Sequence, residues 1–462
     1  MISMTVQEIA RVVQGSVEGG LASDLVVTQY PVIDSRAASA KNFFVAFKGE
    51  SVDGHDFVGQ AIAAGSPFAL VSTSVAFPSI KVEDVTDALS RLARHVREAL
   101  PNLQVVGLTG SQGKTTTKDL LAHILTTAGE TVAPEGSLNN EIGVPLTLLR
   151  STSQTRFCVV EMGARHRGDI AHLVAIAQPN VGAVLVVGSA HLGEFGSREG
   201  IALAKGEMVA DLRPGATAVL GTYDEFTPRM PTPAGVKRLT FGETMDCDIR
   251  ATDIEFREGR AHFDLVTPSG RETVGLQLLG MHQVANALAA AAIATALNLP
   301  IESIAAALST AETMSKWRME LREAGDVALI NDAYNANPES MAAALRTLVL
   351  IAQERGGSAW AMVGRMHELG DSQDRQHEEI GLLAANLGVD HLVAIGCDEY
   401  LTAVRGLSDM AVHSCADIDA AMELADHISA GDVVLVKASR AERLDILASS
   451  LLETLHKREV ME

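Results

Sequence analysis

"VVGLTGSQGKTTTKDLL", residues 105–121, holds the residues that settle the fold class. It looks like a phosphate-binding loop but misses the usual G-x-x-x-x-G-K-[ST] spacing. Counting back from Gly113-Lys114-Thr115, the first glycine belongs at 108, where the chain has Leu108; the glycines stand at Gly107 and Gly110. The physics survives the shift. "QVVGL" is an apolar, β-branched run that predicts a buried strand, and Leu120, Leu121, Ile124 and Leu125 then follow helical spacing up to Gly129. Glycines between a strand and a helix aim backbone N–H groups and the positive helix end at an anion. Lys114 would reach the outer phosphates of a nucleotide and Thr115 would hold Mg²⁺. The alternative is a plain strand–turn–helix junction with a surface lysine.

The chain has 462 residues and a net charge of −21, with 21% charged residues. That length predicts two to four domains. The acidic balance argues against nucleic acid or an acidic membrane as partner, so an anionic substrate needs a locally basic pocket. Cys158, Cys247, Cys397 and Cys415 form neither a C-x-x-C pair nor a zinc spacing, which fits a reduced, cytoplasmic chain. No leader-like segment and no membrane-spanning apolar run is expected.

Working outward, residues 1–100 mix short strands and helices and end in "SRLARHVREALPNLQ", with a break at Pro101-Asn102. Strand–helix alternation follows, with strands at 104–108, 156–162, 181–187 and 216–220; their near-continuous apolarity suits a parallel sheet covered on both faces. Segment 246–280 reads as an antiparallel addition, and "MHQVANALAAAAIATALNLP" as a helix ending at a proline. A second α/β unit begins near 317, with strands at 327–332, 358–364, 391–396 and 432–438; it is Rossmann-like without the G-x-G-x-x-G fingerprint.

Three polar residues flank the loop's neighbouring strands. Glu161 ends "RFCVVEM", a place for a carboxylate to hold a hard cation, although a solvated strand-end glutamate is the commoner case. His191, in "GSAHLGEFGS", reads alone as structural or exposed. Lys205, in "GIALAKGEMVADL", reads as an exposed helix lysine beside Glu207.

"GLTGSQGKTTTK", "SLNNEIGVPLTLL", "VVEMGARHRGDI", "AHLGEFGSREGIALAKGEM" and "DAYNANPESMAAAL" together resemble the Mur ligases, over nearly the whole chain. The resemblance implies an α/β protein of three domains: an N-terminal mixed α/β UDP-sugar domain (1–101), a central P-loop-type parallel-sheet ATP-binding domain (102–316) and a C-terminal Rossmann-like domain (317–462). It implies an ATP-dependent peptide ligase that adds D-alanyl-D-alanine to UDP-N-acetylmuramoyl-tripeptide, acting as a cytoplasmic monomer. Gly110, Ser111, Gly113, Lys114, Thr115 and Thr116 would bind the ATP phosphates, Asn286 the adenine, Asp332 the ribose, and Arg318 would be swung onto the phosphates by the last domain. Two Mg²⁺ ions are implied, Glu161 and His191 serving the second. Lys205 would be carbamylated, a CO₂ adduct that turns a cation into a carboxylate-like anion. Asn139 and Asn140 would lie near the transferred phosphate, and Ser35, Arg36, Asp53 and His55 would serve the uridine diphosphate. Tyr334, Asn335, Asn337, Lys437 and Ser439 would line the substrate side of the third domain. Departures from the family pattern fall at Arg365, at Ala438 in "VKASR" and in "AKNFFVA". Rival readings are another amino-acid-adding ligase, a folylpolyglutamate synthase, or a P-loop regulatory ATPase that makes no bond.

Overall fold

Gln104–Thr109 forms a strand buried along most of its length, and the helix Lys114–Thr126 starts directly after the glycine loop. The computed structural model containing them describes residues 1–49, 51–188, 192–312, 315–406 and 410–461. His191 therefore lies outside the described residues.

The first hundred residues hold β1 (Met4–Thr5), β2 (Ser16–Glu18), β3 (Val26–Val27), β4 (Phe44–Val45), β5 (Ala69–Val71) and β6 (Ser79–Lys81). β1 and β3 make a small antiparallel ribbon, and the other four make a sheet in the order β2-β6-β5-β4. Next come β7 (Gln104–Thr109), β8 (Thr131–Val132), β9 (Phe157–Glu161), β10 (Val181–Val184), β11 (Thr217–Gly221), β12 (Lys237–Gly242), β13 (Ile249–Arg257), β14 (Arg260–Thr267) and β15 (Gly270–Leu279). They form one sheet, ordered β15-β14-β13-β12-β11-β10-β7-β9-β8. It is parallel from β8 to β13 and antiparallel over the β13–β14–β15 meander, as segment 246–280 led us to expect.

β16 (Glu320–Ala324), β17 (Val327–Asp332), β18 (Ala359–Val363), β19 (His391–Ile395), β20 (Ala411–Cys415) and β21 (Val433–Lys437) build a third sheet, ordered β16-β17-β21-β18-β19-β20. Only β16 runs antiparallel to its neighbour among these strands. The expected α/β class and three-part architecture are thus present.

The apolar strands put alternate residues into cores on both faces. Cys158 and Val160 join one cluster with the N-terminal helices, whereas Val159 and Phe157 join the other with the Ala-rich helix Gln283–Ala296. The first cluster runs without a break from Met1 to Met230, so the N-terminal unit and the central sheet share one core. The third sheet is covered on its two faces by separate clusters. All four cysteines are buried and free. Among the described residues no helix is long and apolar enough to cross a membrane.

Candidate functional site

The C-terminal ends of β7, β9 and β10 lie side by side, with β7 in the middle, and a parallel sheet offers its ligand crevice at that edge. β7 delivers the glycine loop. Gly113 sits at φ +80°, and a Cβ there would stand 2.3 Å from Asn286 Oδ1, so only glycine lets the loop close against the Ala-rich helix. Ser111 braces the loop to β10: its N–H donates to Val186 O (2.9 Å), and its Oγ accepts from Gly188 N–H (2.8 Å). Lys114 folds back along the loop and donates to Gly110 O at 2.6 Å. Burial, with a smaller push from Arg318, lowers its amine below the ordinary lysine range, and Glu161 opposes the shift. Thr116 follows in the first turn of the same helix.

β9 ends in Glu161, whose side chain is wholly buried. It accepts from Thr115 Oγ1 (3.0 Å), Ser137 Oγ (2.7 Å) and Asn139 Nδ2 (2.8 Å), all neutral donors. Ser137, two residues before Asn139, was not anticipated; its place in the "SLNN" string is the one signal the sequence offered. Asn140 Oδ1 accepts from Gly143 N–H, the first residue of the helix Gly143–Leu149, at 3.0 Å.

Lys205 is not an exposed helix lysine. It is 3% exposed, and no carboxylate among the described residues offsets it: burial, then Lys114, both push its amine well below the usual range. Nor does it pair with Glu207, which accepts from the N–H groups of Gly168 (2.8 Å) and Ala171 (3.1 Å) and so caps the helix Asp169–Ala177. The expectation failed because surface spacing alone does not show that this helix packs against β7, β10 and the helix Asp169–Ala177. Among the described residues no cluster of three His, Cys, Asp or Glu side chains is arranged for a metal.

Arg318 comes from the third unit and lies within electrostatic range of Lys114. Its guanidinium stacks over the Tyr334 ring at 4.1 Å, and its Nε is buried without a hydrogen-bond partner. Asp332 has both oxygens engaged: Oδ1 accepts from Met319 N–H (3.1 Å) and Oδ2 from Lys437 Nζ (2.6 Å). Lys437 is 1% exposed and also donates to Asn335 O (2.9 Å), so it braces the Asp332 loop from within. Asn337 caps the helix Pro338–Arg355 in a reciprocal box with Ser340. Ser439 Oγ accepts from His367 N–H at 3.0 Å. Asn286 donates to Gln283 Oε1 at 2.8 Å, a local bond one turn away.

The N-terminal residues form a separate group. Ser35 donates to Gln60 Oε1 (3.0 Å), and Arg36 pairs with Asp34 on the surface (2.7 Å). Ser72 N–H donates to His55 Nε2 at 3.0 Å, which leaves the ring proton on Nδ1 to donate to Asp53 at 2.6 Å. At the departure from the family pattern, Arg365 donates to Glu399 and to Gly396 O.

A nucleotide loop, a buried carboxylate and cations from two units on one sheet edge define a phosphate-handling enzyme, and the comparisons with known proteins give its family. Residues 32–97 match the Mur ligase family catalytic domain, 108–294 the Mur ligase middle domain, and 317–440 the Mur ligase glutamate ligase domain. The chain belongs to the Mur ligase family. It is 39% identical to the UDP-N-acetylmuramoyl-tripeptide–D-alanyl-D-alanine ligase of Mycobacterium tuberculosis, over 98% of each chain. Among solved structures it is similar to MurF from Acinetobacter baumannii (34% identity, 98% and 99% of the two chains, TM-score 0.89). It is also similar to the MurF ligase of Thermotoga maritima in complex with ADP (31% identity, 93% and 98%, TM-score 0.80).

Proposed function

We propose that this chain is an ATP-dependent ligase that joins D-alanyl-D-alanine to UDP-N-acetylmuramoyl-tripeptide, releasing ADP and phosphate in peptidoglycan precursor synthesis. The observation that carries the reading is the meeting of Lys114, Lys205 and Arg318 around one phosphate loop beside buried Glu161. The named relatives supply the substrates.

The division of labour is as follows. Residues 1–101 hold the UDP-sugar end of the donor, residues 102–316 hold ATP, and residues 317–462 bring the amine acceptor. The donor's terminal carboxylate attacks the γ-phosphorus, and ADP leaves with the bridging oxygen. The free amine of D-alanyl-D-alanine then attacks the acyl carbon, an amide forms, phosphate departs with the former carboxylate oxygen, and the amine loses its proton. An anion attacking a polyanion needs its repulsion neutralised, and Lys114 and Arg318 supply positive charge from two units of the chain. The loop amides and Thr116 orient the phosphates. Asn139 and Ser137 hold Glu161 in place. Asn286 lies behind the loop, where an adenine edge reaches it, and Asp332, aimed by Lys437, serves the ribose side. Asn140 acts by fixing the loop that carries Asn139.

The buried oxygens of Thr115 and Glu161 fit a hard cation, with His191 and a modified Lys205 completing the second of two sites. Mg²⁺, when bound, supplies Lewis-acid charge neutralisation. Lys205 also fits carbamylation: burial lowers its amine well below the usual lysine range, which favours the neutral form, and the neutral amine is the form that adds CO₂. Four buried free thiols suit the cytoplasm.

Mass spectrometry of ATP, UDP-N-acetylmuramoyl-tripeptide and a panel of D- and L-dipeptides tests this. An amide product with D-alanyl-D-alanine, and phosphate release only when donor and acceptor are both present, is the expected result. Phosphate release without either would instead mark a regulatory ATPase, and a product with a single amino acid a different ligase.

A further inference from the structure

The helix that follows the phosphate loop also grips the chain segment carrying Arg318. Thr115 and Asp119 lie one turn apart on the same face of Lys114–Thr126. Thr115 faces Glu161, whereas Asp119 divides its carboxylate between two partners. Oδ1 accepts from Lys118 Nζ at 2.8 Å, and Oδ2 accepts from the Ser315 hydroxyl at 2.5 Å. Lys118 is 2% exposed and also donates to Pro134 O (2.7 Å) and Gly136 O (3.0 Å). Its buried charge therefore fixes both Asp119 and the segment leading to Ser137 and Asn139.

Ser315 stands three residues before Arg318, and the backbone on either side of that arginine is unusual. Trp317 has φ +60° and Met319 φ +49°, left-handed values that bulky side chains avoid and that persist only where neighbours impose them. The third unit imposes them at several points. Trp317 N–H donates to Glu320 (3.3 Å), its carbonyl accepts from Tyr334 N–H (3.1 Å), and its ring lies under Arg440 (4.2 Å). Met319 N–H is held by Asp332. On the central unit's side, the hydrogen bond seen at this segment is Ser315 to Asp119.

We propose that Ser315 and Asp119 form a latch that sets how Arg318 meets the phosphates held by Lys114. Both are positioning residues; neither touches the reacting atoms. The inference rests on the reading of Arg318 as a phosphate contact.

Ser315→Ala breaks the latch and leaves the Lys118–Asp119 pair intact. We expect kcat to fall roughly 10- to 100-fold, the effect of losing a hydrogen bond to a charged group, while calorimetric ADP affinity stays within about twofold. Ser315→Thr keeps the hydroxyl and should restore kcat to within about threefold of the parent. Because the latch acts through Arg318, adding Ser315→Ala to Arg318→Ala should cost nothing further. Parental kcat in Ser315→Ala, additive effects in the double variant, or equal losses of kcat and ADP affinity would each overturn the latch. If Ser315→Ala is silent while Arg318→Ala is crippled, the latch alone fails; if Arg318→Ala turns over normally, the reading of Arg318 fails with it.

Discussion

Lys205 is a buried amine on which, among the described residues, the charge that acts is that of another cation, Lys114, and such a group is costly unless it loses its charge or gains a partner. A carbamate does both, by converting the amine to an anion that a metal ion can share. Lys205→Ala should therefore bind ADP normally and lose turnover, and added acetate should partly restore it by refilling the gap with a carboxylate. A ¹³C carbamate signal after equilibration with labelled bicarbonate should be present in the parent protein and missing from the variant. Full activity in Lys205→Ala, or no labelled adduct in the parent, removes the carbamate. For Lys114→Ala we expect a loss on the order of 10²–10³ in turnover, typical of a direct electrostatic contact to developing charge, measured as phosphate release with both substrates present. Lys114 and Thr115 were legible because motif and context coincide within one short stretch. Ser137, Lys118 and Ser315 were not, since their partners lie across the fold: Lys118 touches carbonyls at 134 and 136, and Ser315 reaches back to Asp119. No periodicity encodes such pairings. Lys437 shows the reverse case, a residue picked out by its string yet turned inward onto Asp332.

Secondary elements were legible in proportion to how fully they are buried. β7, β9, β10, β11, β17, β18, β19 and β21 are apolar runs and lie where the sequence predicts them, to within a few residues at their ends. β12, β16 and β20 were missed because they are polar or half exposed, and β8 because it spans only two residues. The loop between β7 and its helix depends on one backbone conformation. Gly113→Ala would force a side chain into a left-handed residue and into Asn286, so we expect a loss of roughly 1–3 kcal/mol of stability and weakened ADP binding, read by denaturant melts and calorimetry. The Ala-rich helix begins at His282, whose Nδ1 is buried without a partner. Burial pushes this imidazole from the ordinary 6.5 down to about 4; Asp332 opposes the shift and Lys437 adds to it. Above pH 6.5 the ring is neutral in both folded and unfolded chains and contributes nothing. As pH falls from 6.5 toward 4, the unfolded chain takes up a proton that the folded one refuses, so stability falls with pH. By pH 5 the loss from this residue is roughly 2 kcal/mol. His282→Gln should lose correspondingly less stability between pH 7 and pH 5 in urea titrations; equal losses in the two proteins would take His282 out of the acid response.

At the scale of the whole molecule, the cores predict which units move together. One hydrophobic cluster runs from Met1 to Met230, so the N-terminal unit and the central sheet cannot separate without exposing apolar surface. The third unit is different. Of the central unit's residues, Leu279 is the one in that unit's core, and the other contacts described between them are polar or sparse. His282 lies within electrostatic range of Asp332 and Lys437, and a Cβ on Gly193 would stand 3.4 Å from Gly370 N. Units joined in this way ordinarily shift against each other. Glu339 Oε1 of the third unit also reaches the loop's edge, 3.1 Å from where a Cβ on Gly188 would stand. On the reading of Arg318 as a phosphate contact, ATP should draw Arg318 toward the loop, and closure with donor bound should exclude water from the reacting acyl group. We expect small-angle scattering to show a smaller radius of gyration with a non-hydrolysable ATP analogue plus donor than without ligands. Hydrogen exchange should slow at residues 315–319 and stay unchanged at the interface shared by the first two units. Slowing at both interfaces would mean that the first two units are not one body, and unchanged scattering together with unchanged exchange at 315–319 would mean that Arg318 is held in place before the nucleotide arrives.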